Sequence, residues 1–318
     1  MKKFILPIIL ALLSLSANAQ NLTPETAKNY IINYGAVDLN IDLVHRFEND
    51  DDHFNLPILS AILPVFDENR STRNIVANCH DLCGDIFRNS KTQGVRSKAF
   101  CTLLNMAKQQ EPIMAEADVY KPLARSTKPS DFNEEVTNAL LEILRSDNKD
   151  YSTWLLRMIG TNKNEKFIPT IKSEYLNNCK NEYTPTSACF EAKCTLAQLG
   201  VKQYQKEVFE ILSRINNKEI TEIYLTSISF IRIPESINFL VKVMNDSKCT
   251  KIYDFETNEQ EPCSGEVIKT IVEMTSNIPP EIKKIGFGGV SPRPELVAQT
   301  KKWINENKSK LKLNNVDH

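Results

Sequence analysis

Two helix–turn–helix units with the same internal spacing occupy residues 188–244. In each unit an apolar helix ends at a short turn, and a second helix follows with apolar residues three and four positions apart. Looser copies lie on both sides of these units. Self-similarity over roughly 30–40 residues in a helical chain predicts stacked helix pairs, because a single pair cannot bury its own apolar face.

The repeat is clearest where the first helix of each unit ends. Three copies end this helix at Gly160, Gly200 and Ile231, and each carries an apolar residue eight positions later, namely Ile168, Val208 and Phe239. A fourth copy is predicted at residues 271–276, before a proline-rich loop. The chain therefore contains at least three units of one helical design.

The residues that carry this pattern resemble the HEAT-repeat family; they are Ala192, Leu196, Leu199, Gly200, Val208, Ile211 and Leu212. The resemblance covers residues 136–243. It implies an all-α fold, an α-α superhelix in which antiparallel helix pairs stack as a solenoid. It also implies a curved scaffold that binds proteins or peptides on its concave face. The family has no fixed catalytic residues, so none is carried over, and a helical domain without repeats stays an alternative.

The N-terminus has the three parts of a secretory signal peptide. Lys2 and Lys3 precede an almost entirely apolar stretch, residues 4–15, and Ala17 and Ala19 form an A-x-A cleavage site. The apolar stretch is shorter than the roughly 20 residues that a membrane span needs. We therefore expect cleavage after Ala19 and a periplasmic or secreted chain, with no membrane span.

Four segments follow from these patterns. Residues 1–19 are the signal peptide, and residues 20–129 form an N-terminal helical region. Residues 130–313 form the HEAT-like repeats, closed by a C-terminal helix that shields the last core face. Residues 314–318 are expected to be a disordered tail.

Eight cysteines in an exported chain predict disulfides, and helix-pair geometry narrows the pairing. Cys83 and Cys101 lie nine residues on either side of a predicted turn at position 92, so an antiparallel pair would place them face to face. Cys179 and Cys189 bracket a turn, with Cys179–Cys194 as the rival pairing. Cys79 is not assigned a partner. Whichever of Cys189 and Cys194 does not pair with Cys179 also stays unassigned.

The last predicted bridge closes a polar loop. Cys249 and Cys263 flank residues 250–262, which have no helical apolar stripe. Closing a loop of that size contributes on the order of 3 kcal/mol.

Charge and motifs exclude several functions. A formal net charge of −1 provides no basic footprint for nucleic acid or an anionic membrane. The four histidines are isolated, and the zincin and nucleophile-elbow motifs do not occur. The run from Cys79 through His80 to Cys83 has too few ligands for zinc and the wrong order for haem attachment. We therefore predict no catalytic residue, no cofactor and no metal.

The most favoured function is a non-enzymatic scaffold of the bacterial envelope or periplasm that binds a protein or peptide. Two alternatives stay open. One is a secreted effector that acts on a host or competitor. The other is a hydrolase or lyase on an α/α toroid, which would need paired carboxylates in a deep pocket. Oligomeric state and partner identity are not specified by any motif.

Overall fold

The computed structural model describes residues 23–34, 51–146, 153–177, 179, 187–214, 222–246, 250–254, 259–262, 264–283 and 294–314 of the 318-residue chain. Apart from one short hairpin and an isolated bridge, the regular structure in these ranges is helical, as the sequence predicts. The signal peptide, Cys249 and Cys263 lie outside the described residues. Contacts divide the chain into two compact units, residues 1–122 with 130–140 and residues 123–129 with 141–318.

In the described part of the first unit, α1 (Pro24–Ile32) is followed by a π-helical turn, Asp51–Asn55, and then by α2 (Leu56–Glu68), α3 (Arg73–Asn89), α4 (Gln93–Ala107) and α5 (Pro112–Ala115). A π-helical turn, Glu116–Tyr120, then leads to α6 (Lys121–Ser126). Helix α7 (Glu134–Arg145) follows, and both α6 and α7 contain residues of each unit.

Helix α2 is longer than the sequence predicts. The two prolines of residues 56–66 limit the sequence-based expectation to one or two turns, yet α2 has 13 residues. Pro57 lies at the first turn, where its missing N–H would have no partner in any case. Pro64 lies inside the helix, where buried Ile62, Val65 and Phe66 anchor it in the core. Tertiary packing thus outweighs the local cost of Pro64.

Helices α3 and α4 form the antiparallel pair that the sequence predicts, but the bridge between Cys83 and Cys101 is absent. The Cys83 thiol donates to the carbonyl oxygen of Ala99 at 3.3 Å, and both cysteines are free thiols. On a helix, position 101 lies about 200° around from position 99. Cys101 consequently faces away from α3 and contacts Glu135 of α7.

The second unit contains the remaining helices. They are α8 (Thr153–Thr161), α9 (Phe167–Ile171), α10 (Ala188–Gln198), α11 (Lys202–Arg214), α12 (Glu222–Ile231), α13 (Pro234–Asn245), α14 (Ser264–Met274), α15 (Pro280–Lys283) and α16 (Pro294–Asn307). Helices α8, α10, α12, α14 and α16 contact one another in that order. We call them the first layer, and α9, α11 and α13 the second layer. Helices α10 and α12 pack on α11 and α13 respectively.

One apolar core runs through the second unit. Its members include fully buried residues of four first-layer helices, Ala197, Ile228, Ile271 and Ile304, and of second-layer Leu240. In α16, Leu296, Val297 and Trp303 pack against this core, with Thr300 fully buried. The core residues come from α10 through α16, so these helices share one core rather than packing as separate pairs.

The turns after the first-layer helices share a left-handed backbone. Lys163, Gly200 and Arg232 follow α8, α10 and α12 with φ of 52°, 90° and 42°. The positive φ of Lys163 corrects the sequence alignment of the repeats, in which Gly160 is the equivalent of Gly200. Gly160 lies inside α8, where an added Cβ would meet the Gln198 side chain at 2.2 Å. Lys163, not Gly160, is thus the counterpart of Gly200.

A disulfide joins Cys179 to Cys189, with their Cα atoms 5.8 Å apart. This is the pairing that the sequence favours, and the rival partner, Cys194, is a buried thiol in the core. The bridge ties the segment that follows the second-layer helix α9 to the start of α10.

The stretch predicted as a polar loop contains a β-hairpin. Strands β1 (Thr250–Asp254) and β2 (Glu259–Pro262) pair antiparallel, with Thr250 opposite Pro262. Cys249 and Cys263 are the sequence neighbours of this pair. Their bridge stays a prediction, because both lie outside the described residues.

The C-terminal segment is held against the end of α14. The amide of Ser276 donates to the Lys312 carbonyl at 2.9 Å, and the amide of Asn314 donates to the Met274 carbonyl at 2.8 Å. Asn277 accepts from the Lys312 amide at 2.8 Å. Asn314, which the sequence assigns to a disordered tail, is therefore bonded in place, while residues 315–318 lie outside the described residues.

Alkylation of the unfolded, unreduced chain should distinguish bonded from free cysteines. We expect four labelled positions, Cys79, Cys83, Cys101 and Cys194, because these are thiols in the folded chain. We expect Cys179 and Cys189 to be protected, and predict the same for Cys249 and Cys263. Peptide mapping by mass spectrometry reads each position. Protection of Cys83 and Cys101 together would contradict the α3–α4 register.

Replacing Gly200 with alanine should destabilise the chain by roughly 1 kcal/mol, because a Cβ is strained at φ of 90°. The matched control is Gly94→Ala in α4, where an added Cβ meets no atom within 4 Å. We expect the control to be neutral or stabilising. Urea unfolding measures both, and equal effects would refute the left-handed turn at Gly200.

Candidate functional site

A buried ionic network joins three successive first-layer helices. The guanidinium of Arg157 on α8 donates to both carboxylate oxygens of Glu191 on α10, each at 3.0 Å. It also donates to the hydroxyl of Ser227 on α12 at 3.0 Å, and that hydroxyl donates to Glu191 at 2.9 Å. Arg157 is 4% exposed and Glu191 1%. Both carboxylate oxygens of Glu191 and the Ser227 hydroxyl thus have partners, and the two buried charges compensate each other.

Aromatic rings cover the solvent side of this network. The Arg157 guanidinium carbon lies 4.5 Å from the centre of the Trp154 ring. Phe230 of α12 meets the indole edge to face, with ring centres 6.0 Å apart and an interplanar angle of 82°. Arg125 of α6 lies on the indole, 5.3 Å from its centre. We call Arg125, Trp154, Arg157 and Phe230 the Trp154 cluster.

The two arginines of the Trp154 cluster differ in what they can do. Arg157 is buried, and its Nε and Nη2 atoms donate to Glu191 and Ser227. Arg125 is exposed, and among the described residues it forms no ion pair. Trp154 and Phe230 are half-buried. The cluster therefore presents one available cation beside two aromatic rings, which is a combination typical of protein-binding hot spots.

The fully buried carboxylates of the described ranges are held in ion pairs. Asp131 and Glu191 are the fully buried carboxylates in the described ranges. Arg96 of α4 binds Asp131 through Nε at 2.8 Å and through Nη2 at 2.7 Å, in the same two-point manner as Arg157 binds Glu191. A carboxylate with both oxygens bound to a guanidinium is held as a structural ion pair.

Burial disfavours the reactive thiolate form of the buried cysteines. Burial raises the pKa of Cys79 and of Cys101 to about 12, with Glu135 adding to the effect at Cys101. Burial also raises the pKa of Cys83 and Cys194 well above the usual thiol value. Because the thiolate is the nucleophile, none of these four cysteines is activated at neutral pH.

His80 is buried without a partner for its Nε2 atom among the described residues. Its ring lies edge to face on Phe66, with centres 5.7 Å apart. Burial lowers the pKa of His80, while the charges of Asp118 and Asp81 act in the opposite direction. His80 does not join Cys79 and Cys83 in a metal site, since the described ranges contain no group of His, Cys, Asp and Glu that could hold an ion.

None of the cysteines proposed as disulfide partners is a member of the Trp154 cluster, and Cys249 and Cys263 lie outside the described residues. The cluster itself is missed by sequence reasoning, although one signal is visible. Trp154 and Arg157 lie three residues apart in an otherwise apolar helix, so they share one face. A cation buried in such a helix requires an acidic partner. That partner, Glu191, is 34 residues away, and nothing in the sequence around it identifies it.

Comparison with known proteins identifies no relative: no family model, no curated protein and no solved structure matches the chain. Within the described residues, no helix is both long enough and apolar enough to cross a membrane.

Truncating Glu191 to alanine should destabilise the chain by about 3–5 kcal/mol, because Arg157 would stay buried without its counter-charge. The double variant Arg157→Met, Glu191→Leu should recover most of this loss, since neither charge remains. The control Lys206→Ala removes an exposed pair with Glu210 and should change stability by less than roughly 0.5 kcal/mol. Chemical unfolding measures all three, and a double variant no better than Glu191→Ala would contradict the pairing.

Acidification should weaken the first unit through His80. Its pKa is lowered in the folded chain, so the unfolded chain takes up the proton first as the pH falls below about 6.5. The contribution of neutral His80 to the free energy of unfolding is therefore present above about pH 6.5 and is lost as the pH falls below it. His80→Leu should reduce the difference in unfolding free energy between about pH 8 and pH 5. An unchanged difference would show that His80 is not buried in its neutral form.

Proposed function

We propose that the chain is a non-enzymatic scaffold of the bacterial cell envelope or periplasm that binds a protein or peptide on its first helix layer. The single observation that carries the proposal is the Trp154 cluster, in which half-buried aromatic rings of that layer lie beside the available guanidinium of Arg125 on α6. We further propose that the stacked pairs form a HEAT-like superhelix.

The contacts of the two layers support a curved array. Helix α8 contacts α10 and also α12, so three successive first-layer helices crowd together. In the second layer, α11 and α13 meet through the rings of Phe209 and Phe239, whose centres are 6.0 Å apart. A crowded layer lies on the inside of a curved stack. The Trp154 cluster would then lie on the concave face, which solenoids use for binding.

Rigidity favours this face as a binding surface. Trp154 and Phe230 lose few rotamers on binding because Arg157 and their mutual contact already position them. Preorganised aromatic anchors bind at a lower entropic cost than mobile side chains. The buried network beneath them thus serves recognition by keeping the surface in one shape.

Export is part of the proposal. The signal sequence supports a periplasmic or secreted location, and the Cys179–Cys189 disulfide fits an oxidising compartment. Intact mass of the exported chain tests this point. A chain beginning at Gln20 is expected, and a full-length chain retained inside the cell would contradict it.

Site-specific photo-crosslinking tests the binding face. A photo-reactive residue in place of Thr226, one helical turn before Phe230, should form protein adducts in the organism that produces the chain. The matched control replaces Lys206 of α11, whose side chain is 81% exposed on the second layer, and should form few. Absence of adducts at position 226, or equal yields at both positions, would contradict a first-layer binding face.

A further inference from the structure

We infer that the Trp154 cluster is a subsite for an acidic side chain that lies next to an apolar one in a bound peptide. The inference rests on the proposed binding function and specifies the chemistry of the partner. It follows from the N–H donors of Arg125, from the apolar surface of the rings beside it and from the charge of the segment that contains Arg125.

Arg125 presents a positioned guanidinium. The side chain is exposed, yet its cationic carbon lies 5.3 Å from the centre of the Trp154 ring. Contact with the indole limits the positions that the guanidinium can adopt, while its edge N–H groups remain donors for a ligand. Among the described residues no carboxylate occupies those donors. A carboxylate is the group whose two oxygens match the guanidinium fork.

The rings of Trp154 and Phe230 provide the apolar part of the subsite. They meet edge to face, 6.0 Å apart, and each stays half-buried in the chain alone. A partner that places an aromatic or aliphatic side chain on these rings would remove their remaining surface from water. The acidic and apolar groups of the partner must therefore be close neighbours, because Arg125 lies directly on Trp154.

Local charge supports an acidic partner. Residues 123–127 contain one basic side chain, Arg125, and no acidic one. The other cation of the cluster, Arg157, is neutralised by Glu191 and adds no net charge. An acidic peptide would thus approach a locally positive segment, which favours association and disfavours basic competitors. We assign the acidic group to an aspartate or glutamate side chain of the partner.

The test uses the full-length chain and a fluorescein-labelled hexapeptide, Ser-Gly-Asp-Phe-Gly-Ser, with both ends blocked. The aspartate is then the only peptide carboxylate. Fluorescence anisotropy should show saturable binding, and an otherwise identical peptide with asparagine should bind roughly tenfold more weakly. Arg125→Gln should abolish the preference for aspartate. Arg125→Lys should restore part of it, because the charge returns without the fork.

Lys302→Gln is the matched control, since it removes a cation that is 77% exposed on α16 and should leave the preference intact. Failure of the aspartate peptide to bind, or equal binding of the two peptides, would overturn the subsite. Crosslinking at position 226 tests the binding face separately from the acidic subsite. Adducts there without a preference for aspartate would retain the binding face and reject only the acidic subsite.

Discussion

The ion pair between Arg157 and Glu191, closed by Ser227, fixes how three first-layer helices align with one another. Removing two opposite charges from water costs several kcal/mol for each ion, and only a two-point pair with further hydrogen bonds compensates for it. The three residues lie on α8, α10 and α12. A shift of any of these helices by one turn, about 5.4 Å, would break the network. The stack therefore has one register in which the charges are satisfied.

The same network determines the surface above it. Arg157 holds the Trp154 ring from below, and Trp154 in turn holds Arg125 at the surface. A continuous path of contacts thus leads from a buried carboxylate to an exposed guanidinium. This arrangement explains why a binding face could be rigid although it is built from long side chains.

Sequence periodicity predicts the helices and their pairing, because apolar stripes record which face is buried. It also favours Cys179–Cys189, where a short turn limits the choice of partner. It is wrong at Cys83 and Cys101, because symmetric spacing about a turn does not fix helix rotation: Cys83 faces Ala99, two residues before Cys101. The Trp154 cluster is missed for a similar reason. Its members come from helices far apart in the chain, and only the assembled stack brings Arg157 to Glu191.

Amide hydrogen exchange of the Glu191→Gln variant tests the central claim, that one buried network couples three helices. The substitution preserves side-chain size but removes the charge that Arg157 needs. The account predicts faster exchange in α8, α10 and α12 together, with α3 and α4 of the other unit unchanged. Faster exchange confined to α10, where the substitution lies, would show that the helices are held by apolar packing alone.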